Sequence, residues 1–351
     1  MAKTILPDAD EADGHGAAGR SDQVVNQQLE QQPIHKATAK RGLLMDLYQA
    51  AVQAAHPSHC VPPHLPDVPP HGRLIIVGAG KACAAMAVAA ERHYAQQPGY
   101  ERVGGFVTTR HGYALPTTRI EILEAGHPVP DASSVAAAQR ALQVVRDAGP
   151  NDVVLCLLSG GASALWSAPV EGVSFAAKQA LTKQLLRSGG RISEMNCVRK
   201  HLSQIKGGRL AKLAAPAKLV TLAISDVPGD GPDAIGSGPT VGDQTTLAEA
   251  REVLARTGVE VAPEIAAALQ ARENETPDAD ELSGAKLDYQ IIAAPAASLH
   301  AAADVAQARG YEVVVLGDAL EGEARDVAAE HAAQALNARQ SGRRMAILSG
   351  G

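Results

Sequence analysis

The residues best suited to chemistry stand at the ends of apolar runs. Leu74 to Val77 is followed at once by Gly78-Ala79-Gly80-Lys81-Ala82, and Val153 to Leu158 by Ser159-Gly160-Gly161-Ala162-Ser163. Leu219 to Ile224 leads into Ser225-Asp226-Val227-Pro228-Gly229-Asp230, with Ile235-Gly236-Ser237-Gly238-Pro239-Thr240 close behind. Short, unalternated apolar runs bounded by glycine read as strands buried on both faces. A Gly-rich turn from such a strand into a helix leaves backbone N–H groups aimed at an anion. Lys81 sets an ammonium against a phosphoryl or carboxylate group, and Ser159, Gly160, Gly161 and Ser163 add donors with little bulk. Asp226, Asp230 and Asp233 share one loop, where they could hold Mg2+ through water or orient a hydroxyl. Asn196 and Arg199, one helical turn apart, could reach the same place together. Each has a plainer reading as well: turn glycines, turn aspartates, and Arg199, Lys200 and Lys206 as a solvated helix face.

Spacing removes the common nucleotide signatures. Residues 78–82 do not form a P-loop, because Ile75 stands where its first glycine belongs and Ala82 replaces Ser or Thr. As a dinucleotide fingerprint the segment keeps Gly78 and Gly80 but has Cys83 at the third position, and the next strand ends in Arg110 rather than an acid. Arg110 could serve a 2′-phosphate, which keeps a reductase in play. A hydrolase elbow fails because Leu165 follows Gly161-Ala162-Ser163-Ala164.

The elements that must position these groups follow from the pattern. Strands alternate with helical stretches from residue 74 to 224, which implies an α/β protein with a parallel sheet. Aromatic residues make up only 3% of the 351-residue chain, so Ala, Val, Leu and Ile must build the core. That composition suits helices packed closely on a sheet. A net charge of −6 without a basic block gives no sign of nucleic-acid binding. No apolar run approaches membrane-spanning length, and no signal-peptide segment is apparent. The four cysteines lack metal-ligand or redox spacing, and a cytoplasmic location is expected. His56, His59, His64 and His71 punctuate a proline-rich stretch at irregular intervals, read as an extended surface loop rather than a metal site. Ser133 and Ser174 are the expected N-caps of two helices.

Four segments are expected: a disordered tail over 1–37, a Rossmann-like domain over 38–244, a helical connector over 245–288, and a smaller α/β unit from 289 to 351. Leu348-Ser349-Gly350-Gly351 repeats Leu158-Ser159-Gly160-Gly161 and is the last element of the sequence, so the second unit is expected to be incomplete.

Taken together, Val77 to Ala82, Gly126-His127-Pro128-Val129-Pro130-Asp131, Leu158 to Leu165, Asn196 to Lys200, Gln204 to Ala211, Ser225 to Val227 and Gly236 to Thr240 resemble the type II, MOFRL-type glycerate kinases. The resemblance spans about 38 to 351 and implies a Rossmann-like domain, a smaller α/β domain, and a site in the cleft between them. It implies ATP- and Mg2+-dependent phosphorylation of D-glycerate at its 2-hydroxyl, giving 2-phosphoglycerate and ADP. Lys81 and Asp226 would be catalytic. Gly78, Gly80, Ser159, Gly160, Gly161, Ser163, Asn196, Arg199, Lys206, Gly236, Ser237 and Gly238 would bind substrate or phosphate, and Asp226 and Asp230 would hold metal. Expected partners are the small-molecule substrate and the nucleotide, with neither nucleic acid nor membrane, and a homo-oligomer stays open. Two alternatives remain: an NAD(P)H-dependent hydroxypyruvate reductase, the label such proteins often carry, and an inactive fragment that only binds ligand. An arginine expected to face the family's site has no counterpart in this sequence.

Overall fold

The computed structural model describes residues 40–350; the expected tail, the helix start near Thr38 and Gly351 lie outside them. Strands β1 (Leu74–Ala79), β2 (Val103–Arg110), β3 (Ile120–Ala125), β4 (Val153–Ser159), β5 (Lys218–Ile224) and β6 (Leu287–Ala293) form one six-stranded sheet in the order β3-β2-β1-β4-β5-β6. Every neighbouring pair is parallel. Chain order reverses between β1 and β4, the place where doubly wound sheets open a crevice beyond their strand ends. A smaller parallel pair, β7 (Glu312–Val315) and β8 (Met345–Leu348), stands apart from this sheet.

The strands lack polar alternation because both faces are covered. Along β1, Leu74 and Ile76 enter one core while Ile75, Val77 and Ala79 enter the other. Small side chains bring the helices close. α3 (Cys83–Tyr94) packs Cys83, Met86, Ala87 and Ala90 on the first side, and α4 (Ala132–Arg146) packs Ala137, Ala138, Ala141 and Val145 on the second. Before them, α1 (40–54) is followed by a short α2 (Pro57–Cys60) and a single 3-10 turn, Pro62–His64. The proline-rich segment is therefore wound over residues 57–64, since proline is accepted in a first helical turn where its missing N–H costs nothing, while from Leu65, itself extended, to Pro69 it carries no helix. The N-cap of α4 is Asp131, not Ser133: Asp131 Oδ1 accepts from Ser134 N at 3.0 Å and Ser134 Oγ accepts from Asp131 N at 3.1 Å.

Beyond β4 come α5 (Ala162–Leu165), α6 (Phe175–Arg187), α7 (Ile192–His201) and α8 (Arg209–Ala214); after β5 come α9 (Leu247–Thr257) and α10 (Pro263–Gln270). Ser174 caps α6 as expected, its side chain accepting from Ala177 N at 3.1 Å. Leu181 and Leu185 of α6, Val198 of α7, Val253 and Leu254 of α9, and Ile265 and Leu269 of α10 share one apolar core. The segment read as a connector is thus continuous in packing with the domain before it.

Two further placements bear on the expected segments. β6, read as the opening of the second unit, pairs with β5 as the sixth strand of the first sheet. α11 (Pro295–Ala308) and α12 (Ala324–Gln340) accompany β7 and β8, and α1 packs there too: Leu43 and Leu47 meet Ala302, Ala306 and Ala346. Asp46 pairs with Arg309 at 2.5 Å.

At the edge where the strands begin, Asp152 ties the approaches to β1 and β4. It accepts from Arg73 N at 2.7 Å, Arg73 Nη2 at 2.7 Å and Gly149 N at 3.0 Å. Burial would raise its pKa, but these bonds outweigh it and hold the carboxyl at about 2. A carboxylate held below its ordinary 3.8 stabilises the fold above that value, and the contribution is lost as pH falls toward 2. Asp152→Ala is expected to cost roughly 2–3 kcal/mol at pH 7, read by urea denaturation, with the gap from the native protein narrowing on acidification.

Candidate functional site at the carboxyl edge of the sheet

Five adjacent strands deliver polar groups to the edge where they end. Lys81 follows β1, Arg110 ends β2, His127 follows β3, Gly160 to Ser163 follow β4, and Asp226 follows β5. Lys81 Nζ donates to Asp226 Oδ2 at 3.1 Å, with both side chains about half exposed (42% and 51%). Half-exposed ion pairs contribute little stability, and Lys81 Nζ keeps two protons free of protein partners among the described residues for an arriving anion.

The two glycines after β4 are required by crowding. A Cβ on Gly160 would fall 1.8 Å from Asp226 Oδ2. On Gly161, which has φ +90°, it would fall 2.9 Å from His127 Nε2 and 3.2 Å from Lys81 Cγ. The bare backbone lets three functional side chains approach one another.

The turn after β1 is closed rather than open. Gly80 N donates to Thr108 O at 3.1 Å, Lys81 N to Gly160 O at 2.8 Å, and Ala82 N to Ser159 Oγ at 3.0 Å. Ser159 is buried, and Cys83 Sγ lies 3.7 Å from its hydroxyl. Gly78 lies within β1, where a Cβ would fall 2.5 Å from Leu157 O, and Gly80 packs on Ser159. Gly78, Gly80 and Ser159 therefore join β1 to β4 and position Lys81.

A second cluster gathers around Ser163. Its Oγ accepts from Arg199 Nη2 at 2.7 Å and from Lys206 Nζ at 3.1 Å, and lies 2.8 Å from Ser237 Oγ. With both lone pairs taken, the Ser163 hydroxyl must donate to Ser237. Lys206 also reaches Ser163 O at 2.8 Å and Trp166 O at 3.1 Å. Asn196 Oδ1 lies 3.5 Å from Arg199 Nη1. Gly236, Ser237 and Gly238 have φ of 62°, 64° and 59°. This left-handed turn is pinned by Gly207 N donating to Ser237 O at 3.0 Å and Gly208 N to Gly238 O at 2.7 Å.

The electrostatics of this cluster are one-sided. Burial lowers the pKa of Arg199, and it lowers Lys206 well below its ordinary range, helped by Arg199 and Lys178. Lys178, buried on α6, donates to Leu202 O at 2.7 Å; burial, then Arg199 and Arg209, bring it to about 7. No carboxylate is among the hydrogen-bond partners of Lys178, Arg199 or Lys206 in the described residues. Buried cations without counter-ions are costly, and an anion relieves the cost. Lys200 differs, because it donates to Asp243 Oδ1 at 3.1 Å and Asp233 Oδ2 at 3.4 Å. Its buried ion pair is with Asp243, while Asp233, with its side chain 59% exposed, is the longer, outer contact. Asp230 has φ 53° and a buried Oδ1 without a partner.

Three residues escaped the sequence reading as site groups. Lys178 is in helical register with Leu181 and Leu185, so periodicity alone marks it as inward-facing. Asp243 gave no such signal. His127 was visible only as part of the 126–131 segment.

The fold is a doubly wound α/β sheet, and the polar groups described above gather at the edge where its strand order reverses. The sequence profile of DUF4147, described as a domain of unknown function, matches residues 43–270, and the chain belongs to that family. A protein of Agrobacterium vitis that carries a provisional hydroxypyruvate reductase name is 50% identical over 315 residues, covering 89% of this chain and 70% of its own. The D-glycerate 2-kinase of Thermotoga maritima is 38% identical over 290 residues, covering 81% of this chain and 66% of the enzyme. A crystal structure of glycerate kinase from the same organism aligns with TM-score 0.79 at 35% identity, over 90% of this chain and 74% of that one. Among the described residues no helix is long and apolar enough to cross a membrane.

Between pH 7 and 10.5 an unfolded Lys178 holds a proton that the folded one has lost, so stability must rise with pH across that window. The native protein should gain about 2 kcal/mol more than Lys178→Met between pH 7 and 9. Urea denaturation of both proteins at the two pH values measures the difference.

Proposed function

We propose that this protein is a glycerate 2-kinase, transferring the γ-phosphoryl group of ATP to the 2-hydroxyl of D-glycerate to give 2-phosphoglycerate and ADP. The observation that carries the reading is the gathering on one sheet edge of Lys81, paired with Asp226, and of Arg199, Lys206 and Lys178, whose hydrogen-bond partners among the described residues include no carboxylate. A kinase joins two anionic substrates, and its catalysis is mostly positioning and charge neutralisation. In this reading Lys81 spends one proton on Asp226 and offers the other two to the transferred phosphoryl group. Ser163, Ser237 and Arg199, backed by Lys206 and Asn196, hold a phosphate or the glycerate carboxylate. The backbone of Gly160, Gly161, Gly236 and Gly238 gives these groups room.

Mg2+ would neutralise phosphate charge. Asp230, with its unpartnered buried Oδ1, fits as its protein ligand, because Mg2+ is usually held by one or two carboxylates plus substrate phosphates. Asp226 is already committed to Lys81, so its part is to orient that ammonium. A cytoplasmic location accompanies the reading, supported by four buried free cysteines.

The name of the Agrobacterium relative favours a second reading, NAD(P)H-dependent reduction of hydroxypyruvate. The closed turn after β1 argues against it. A dinucleotide pyrophosphate needs the N–H groups that Thr108 O, Gly160 O and Ser159 Oγ already occupy.

Parallel measurement of ADP and NAD(P)+ release separates the two. ADP should form only with D-glycerate, ATP and Mg2+ together, and Lys81→Ala should lower kcat about 100-fold or more. Pyridine-nucleotide oxidation with hydroxypyruvate and no ADP would replace the kinase by the reductase.

A further inference from the structure

His127 belongs to none of the groups just assigned, yet it stands among them. Its Nε2 is beside the bare face of Gly161, whose other flank is the Lys81 side chain. The other two histidines near the described polar clusters are both engaged. His111 Nε2 meets Asp131 Oδ2 at 2.7 Å, while His201 meets Cys197 O at 2.9 Å and Glu275 Oε1 at 3.0 Å. Neither ring nitrogen of His127 has a protein hydrogen-bond partner among the described residues, although the ring is only partly exposed. Its charged surroundings are Lys81 after β1, Arg110 at the end of β2, and Asp226 after β5. Burial lowers its pKa, the two cations lower it further, and Asp226 opposes them. The imidazole is therefore neutral near pH 7, with a lone pair available.

The step proposed above releases a proton that none of the assigned residues is free to take. The Asp226 carboxylate is bonded to Lys81, and Asp230 is the metal ligand of that reading. We propose that His127 is the general base of the transfer, accepting the proton of the acceptor hydroxyl at a ring nitrogen as the hydroxyl oxygen attacks. The new O–P bond forms as the bond between the γ-phosphorus and the β,γ-bridging oxygen breaks. ADP leaves with that electron pair, and the imidazolium afterwards returns its proton to solvent. This inference rests on the kinase reading. It adds a residue that touches the reacting hydroxyl and assigns the acceptor to the Gly161 side of the cleft.

The test uses the purified full chain and His127→Gln, which keeps a hydrogen-bonding amide but cannot act as a base, with His127→Asn as a second variant. Thermal melts within a few degrees of the native protein establish that the variants are folded. Native ADP release that depends on D-glycerate is measured first, and its absence would remove the kinase reading itself. With that release present, kcat should fall about 100- to 1,000-fold in both variants, with KM for ATP and glycerate changed less than about threefold. The acid limb of the native kcat/KM profile should lie below pH 6.5 and vanish in the variants. Retained kcat, or a loss confined to KM, would overturn the assignment. NMR of the native protein with labelled histidine supplies a readout apart from turnover. Adding D-glycerate should shift the His127 ring signals and leave those of His201 in place, and an unmoved His127 would equally overturn it.

Discussion

The constraint on which the site depends is the close approach of the β4 end to its neighbours. In a parallel sheet the strands are set at hydrogen-bonding distance along their length, so whatever follows β4 must share space with the residues that follow β1 and β5. Side chains at 160 and 161 would occupy the Asp226 carboxylate and the His127 ring. Two residues without Cβ atoms resolve that competition. They allow an ammonium, a carboxylate and an imidazole to converge without a long loop to carry any of them. Ser159, one residue earlier, fixes the arrangement by accepting from Ala82 N at the start of α3.

Charge is divided by depth at this edge. The Lys81–Asp226 pair is half exposed and internally balanced, so it can rearrange at little cost. The basic groups on α6, α7 and the turn after them are set against carbonyls and a serine hydroxyl, with no carboxylate among their hydrogen-bond partners in the described residues. The first arrangement suits a group that must gain a partner during a reaction. The second suits one that must hold an anion still. Lys200, itself among the buried residues of α7, shows the contrast: its carboxylate partners Asp243 and Asp233 make it architecture rather than a receptor.

Much of the architecture is legible in the sequence because continuous apolar runs have one inexpensive home, between helices in a parallel sheet. The five strands of the main sheet before residue 225, the doubly covered core and the Ser174 cap follow from local pattern alone. What was hidden is what depends on distant partners. β6 reads as a new beginning until its pairing with β5 is known. The helices over 245–272 read as a connector until their apolar faces meet those of α6 and α7. In the site, Lys81 and Asp226 could be named from their turns, but not their pairing. Ser159 could be placed at a strand end, but its inward orientation depends on α3. His127 and Lys178 were missed because a lone histidine after a strand and a lone lysine in a helix carry no distinctive spacing.

The position of α1 has a consequence for assembly. This helix precedes every strand among the described residues, yet its apolar side is completed by Ala302, Ala306 and Ala346. An amphipathic helix of this length is marginal by itself in water, and its partners leave the ribosome only after the whole main sheet has been made. The earliest of the described helices is therefore among the last to gain a stable home, and its docking closes the order of synthesis into a loop. Such long-range closure slows folding, and Leu43 and Leu47 stay exposed to competing contacts during the interval.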